Sequence, residues 1–149
     1  MKFKNLIMMA LPVVVFAASV VSCEEEKDTY IRPSFSGITQ EPNPVTPGEQ
    51  VVLTIGQKEK GNGIAGVTYT WTIKDLVPDP DDPSLRKDTV LNVHTNYDGY
   101  DKQDPVLKFK VPANCSAGKY TVIMKALFSC YIDDVLFDEA TVQGKLVIK

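Results

Sequence analysis

Apolar and polar positions alternate in five separate stretches of this chain. Over residues 50–55, Val51, Leu53 and Ile55 oppose Val52 and Thr54. Over 67–73, Val67, Tyr69, Trp71 and Ile73 share one face, and the other face is all threonine. Leu107, Phe109 and Val111 alternate with Lys108 and Lys110. Tyr120, Val122, Met124 and Ala126 make a fourth row, and residues 142–148 close the chain with a fifth. A period of two, rich in β-branched and aromatic residues, predicts half-buried strands. Pro42-Asn43-Pro44, Thr46-Pro47-Gly48, Gly61-Asn62-Gly63 and Ala117-Gly118 supply turn chemistry between them. No stretch after residue 23 carries a long helical period. The pattern predicts an all-β domain over residues 34–149, an antiparallel sandwich.

The first 22 residues follow a different rule. Lys2 and Lys4 make a positive head, and residues 6–21 are apolar apart from Ser19. Small residues (Ala17, Ala18, Ser19, Ser22) gather at the end. That is the three-part pattern of a secretory signal peptide. A membrane-spanning helix takes about 20 apolar residues, and this run is shorter, interrupted by Pro12 and flanked by charge.

The seam Val20-Val21-Ser22-Cys23 resembles the bacterial lipobox. The resemblance implies a signal peptide over 1–22, cleavage before Cys23, and acyl chains on the Cys23 sulfur and the new amino terminus. More than one chain gives stable anchoring where a single chain is marginal. Glu24, Glu25 and Glu26 follow, then Lys27 and Asp28. This acidic run resembles the surface-export signal of Bacteroidota lipoproteins. It implies an outer-membrane protein displayed on the cell surface, with the periplasmic face as the alternative. Residues 23–33 read as a lipidated tether, so the membrane is the first expected partner.

A second resemblance concerns the sandwich. In immunoglobulin-like domains a core Trp sits on strand C, and a Tyr near the start of strand F lies two residues before the inter-sheet Cys position. Trp71 and Tyr120 fit those places. Val122 then takes the Cys position, facing Leu53, so an apolar pair replaces the disulfide. Gly118-Lys119-Tyr120-Thr121-Val122 and Thr46-Pro47-Gly48-Glu49 resemble the PKD-like and Ig-like modules of bacterial surface lipoproteins. The resemblance implies about seven strands. The Asp-Phe-Gly-Asp run of PKD domains is absent, and Thr72-Ile73-Lys74-Asp75 stands in its place.

Charge and cysteine content narrow the function. The formal charge of −3 becomes −5 once Lys2 and Lys4 are removed. No basic cluster exists, which excludes nucleic acid as a partner. Cys115 and Cys130 bracket a strand that spans about 40 Å when extended, against about 5 to 6 Å between bridged Cα atoms. Both are expected to be free thiols, and the parity of Cys130 buries it. His94 is the only histidine. No nucleophile elbow, phosphate loop or Cys-x-x-Cys pair accompanies it. The expectation is a non-catalytic protein with no cofactor and no metal. Asp79-Pro80-Asp81-Asp82, Asp98 with Asp101, and Asp133, Asp134, Asp138 and Glu139 offer oxygens, but they lack the spacing of a calcium loop and read as solvated turns.

One stretch, residues 94–101, reads as a loop that places His94, Asn96, Tyr97, Asp98 and Tyr100 together around Gly99. Two aromatics beside short polar groups suit stacking on a sugar ring with hydrogen bonds to its hydroxyls. The same tyrosines also suit covering the open end of the sandwich. Two functions follow. The first is a binding or structural module working with other envelope proteins. The alternative is a glycan-binding lipoprotein of a polysaccharide-uptake system.

Overall fold

A computed structural model describes residues 29–96, 105–132 and 137–149, and of 94–96 the backbone alone. Seven strands occupy them: β1 (Ser34–Glu41), β2 (Gln50–Glu59), β3 (Ile64–Pro78), β4 (Arg86–Asn96), β5 (Val106–Lys110), β6 (Gly118–Cys130) and β7 (Phe137–Ile148). Among the described residues there is no helix. The strands form two sheets, ordered β1-β2-β5 and β4-β3-β6-β7, and every strand pair is antiparallel. This is an antiparallel immunoglobulin-like β-sandwich of seven strands.

The rows that alternate in sequence meet between the sheets. Val51, Leu53 and Ile55 of β2 are fully buried, and so are Trp71 and Ile73 of β3 and Val122, Met124, Ala126 and Phe128 of β6. Trp71 lies in register with Leu91 on one side and Met124 on the other. Leu53 and Val122, one from each sheet, belong to the same buried cluster. Tyr120 makes the expected corner: its hydroxyl donates to the Ser116 carbonyl at 2.7 Å. Cys115 and Cys130 are free and buried. Burial pushes both thiols up, which keeps them protonated and weakly nucleophilic at neutral pH.

Three features close the gap between the sheets along the β1–β7 edge. After β1 the chain passes through two cis X-Pro peptides, Glu41–Pro42 and Asn43–Pro44. Val45 then joins the other sheet in a parallel bridge to Ile148. Gln40 reaches the same strand, accepting from the Val147 N–H at 2.7 Å and donating to its carbonyl at 2.9 Å. Gly144 permits the approach of β1 to β7, since a Cβ there would lie 2.7 Å from that of Ile38.

The stretch that departs from the PKD pattern is a bulge. Between Ile73 and Val77 the β3–β4 register shifts, and Asp75 takes a φ of 54°, tolerable for Asp. Asp88 of β4 holds it, accepting from the Asp75 N–H at 3.0 Å and from Lys74 Nζ at 2.6 Å. The bulge turns Leu76 fully into the core. Its carbonyl accepts the Cys115 thiol at 3.3 Å.

One expectation is corrected. Residues 94–96 are not loop: β4 continues to Asn96, with His94, Thr95 and Asn96 opposite Thr68, Val67 and Gly66. The strand persists because β3 still offers partners that far. Tyr97, Asp98 and Tyr100, like Cys23 and Glu24, Glu25 and Glu26, lie outside the described residues.

Candidate functional site

Strand registers define two poles. Ser34 pairs with Glu59, Ile64 with Cys130, Gly66 with Asn96, and Ser129 with Phe137. These positions all lie at one end, the proximal pole, where the N-terminal stretch joins the sandwich. Pro78 with Arg86, Gln50 with Lys110, and Gly118 with Ile148 mark the distal pole.

The proximal pole is tied together by Asp138. Its carboxylate accepts from the Tyr30 hydroxyl at 2.6 Å and pairs with Arg32 Nε at 3.0 Å. The Glu139 backbone N–H donates to it as well, at 2.8 Å. Arg32 also donates to the Glu139 carbonyl. Burial, then the neighbouring Asp138, pushes the Tyr30 phenol well above its usual range. Glu139 is paired in turn with Lys125 at 2.7 Å. Nearby, the Asn62 N–H donates to the Ile31 carbonyl at 3.0 Å. Gly63, at a φ of 76°, lets Ile132 lie directly over it. Residues 30–33, at the end of the predicted tether, thus already lie against the domain. Beside them a groove of about 330 Å³ runs between Arg32–Phe35 and Ala140–Val142.

The broadest regular surface is the outer face of the four-stranded sheet. Thr68, Thr70 and Thr72 of β3 line its middle. β4 adds Val90 and Asn92, β6 adds Ile123, Lys125 and Leu127, and β7 adds Glu139, Thr141 and Gln143. The threonine row was legible in the sequence. Its neighbours were not, because only strand pairing sets Leu127 beside Glu139 or Val90 beside Thr72.

The acidic turn lies at the distal pole, and its oxygens build the turn. Asp79 accepts from the Asp81 N–H at 2.9 Å and pairs with Lys87 at 3.1 Å. Asp82 accepts from the N–H of Ser84 at 3.0 Å and from its hydroxyl at 2.7 Å. These bonds hold both carboxyls below the usual range, with the Asp81 N–H leading for Asp79 and the Ser84 hydroxyl for Asp82. Among the described residues no cluster of three or more His, Cys, Asp or Glu is placed to hold a metal ion. Of the predicted ligand residues, Asn96 falls at the proximal end of β4.

No family model matches the chain, and no curated protein matches it. The chain is similar to the crystal structure of Spo0M, a sporulation control protein from Bacillus subtilis. The identity is 12% and the TM-score 0.41, over 78% of this chain and 49% of that one. The chain spans about half the length of that protein. A likeness at this level carries no argument about function.

Proposed function

We propose that the chain is a cell-envelope lipoprotein, anchored through Cys23 on the outer-membrane surface, whose sandwich serves as a non-catalytic binding or structural module of the PKD-like or Ig-like kind. The observation that carries this reading is the seam at Cys23, where an apolar run with a basic head stops at one cysteine and turns acidic. The geometry of the domain supports it. Thr29 follows Cys23 by six residues, a reach of at most about 20 Å. The proximal pole therefore faces the membrane. β3 alone is 15 residues long, about 50 Å of extended chain, so the distal turns and the outer face of the four-stranded sheet stand clear for a partner.

The glycan-binding alternative keeps the same anchor. It draws less support, because Asn96, the one described residue of its proposed site, lies at the pole nearest the anchor. Metabolic labelling with palmitate tests the anchor: the natural chain takes the label and Cys23→Ala does not. Equal labelling of both overturns the reading. Replacing Glu24, Glu25 and Glu26 with Ala keeps the label and lowers protease shaving from intact cells. A glycan array probed with the domain separates the two functions, since a glycan module binds and a protein-interaction module does not.

A further inference from the structure

Large apolar side chains are exposed at the proximal pole. Tyr131 is 66% exposed, Phe137 67% and Ile31 47%. They are neighbours by hydrogen-bonding pattern. Ile31 bridges Asn62, the adjacent Gly63 carbonyl takes the Tyr131 N–H at 3.0 Å, and Phe137 sits on the outer face opposite Ser129. Leu127, 44% exposed, lies diagonally from Phe137 on that face. The acids Asp138 and Glu139 beside them are each paired, Asp138 with Arg32 and Glu139 with Lys125.

We infer that Ile31, Tyr131 and Phe137 form a contact surface for the bilayer interface and seat the domain on the membrane that its anchor enters. This rests on the lipoprotein reading. The chain length decides the occupant: a cap that begins at Ile31, eight residues and at most about 28 Å of chain from an acylated cysteine, meets headgroups and upper acyl chains before it meets a protein. Aromatic rings are suited to that zone, with an apolar body for the acyl boundary and, for Tyr131, a hydroxyl for the headgroups. Pairing of Asp138 and Glu139 lowers the cost of bringing those two carboxylates to a lipid surface. The distal pole differs. Among the described residues there, Leu85 (56%) is the one exposed large apolar side chain, in a turn with Asp79, Asp81 and Asp82.

The chain's own tryptophan makes the test clean. Trp71 is the only one and is fully buried, so a second tryptophan reports its own surroundings. The full-length acylated protein, carrying Tyr131→Trp, Phe137→Trp or Leu85→Trp, is reconstituted into phosphatidylcholine vesicles with brominated acyl chains. The expected result is strong quenching at 131 and 137, by about half or more, and none above the parent protein at 85. Flotation on a density gradient reads the anchor separately. Protein that floats but is quenched at neither 131 nor 137 overturns the membrane contact and leaves the anchor standing; that outcome points to a protein partner at this pole. Protein that does not float with vesicles overturns both.

Discussion

Trp71 is the largest fully buried side chain in the domain. Its truncation to Ala is expected to cost about 3 to 5 kcal/mol, a large part of the roughly 5 to 15 kcal/mol that holds a domain folded. Urea melts measure it, and a loss under about 1 kcal/mol would contradict the burial. Tyr120→Phe removes only the bond to Ser116 and should cost about 1 kcal/mol in the same assay. Asp88 gives a pH dependence. The Lys74 ammonium first, and the Asp75 N–H second, hold its carboxyl below the usual range. A folded-state value below the unfolded one means stabilisation that is complete above the unfolded value, near pH 4, and is lost as pH falls through the folded value. Asp88→Asn should therefore lower stability at pH 7 and leave a smaller further loss on acidification. Melts of the two proteins at pH 7 and pH 3 compare the slopes, and parallel losses would show that Asp88 contributes nothing to them.

The five strands read from the sequence are those whose alternation is driven by burial. β1 and β4 escaped that reading for a physical reason: unlike the other two edge strands, β5 with its buried Leu107 and β7 with Leu146 and Ile148, neither has a buried residue among those described. β1 contains no fully buried residue, only half-buried positions among exposed ones, and its register shifts on either side of Phe35. β4 opens with Arg86, Lys87 and Asp88, and its inward residues Thr89, Leu91 and Val93 are only half covered. A strand that buries no full row has little apolar surface to hide, so its period is faint. How closely β1 approaches β7 was likewise invisible, although Gly144 marks the place. Gly144→Ala forces a Cβ against Ile38 and is expected to cost about 1 to 3 kcal/mol. At Gly37, on the same edge, an added Cβ would meet nothing within 4 Å, and Gly37→Ala should stay within about 0.5 kcal/mol of the natural protein. Equal effects in thermal melts would mean that the sheets slide apart to make room.

For the whole molecule, the core was legible and the surface was not. Core rows are written along single strands, as in Val67, Tyr69, Trp71 and Ile73. Surface groups are assembled across strands far apart in sequence: Tyr30 meets Asp138 over a separation of 108 residues, and no local pattern announces such a pair. The proximal cap of Ile31, Tyr131 and Phe137 is built the same way, from three separate segments. The stitching of the first strand to the last has a mechanical consequence. β1 and β7 run the same way, from proximal to distal pole, with the chain arriving at one end and leaving at the other. Tension between an N-terminal anchor and a load near Lys149 thus runs along the Gln40–Val147 and Val45–Ile148 contacts, and these bonds must yield together in shear instead of unzipping singly. Gln40→Ala is expected to lower the force at which a single molecule, pulled through its termini, gives way. If Cys23 is the anchor, as proposed above, this stitching is what would carry the load when a partner pulls on the far end of the domain.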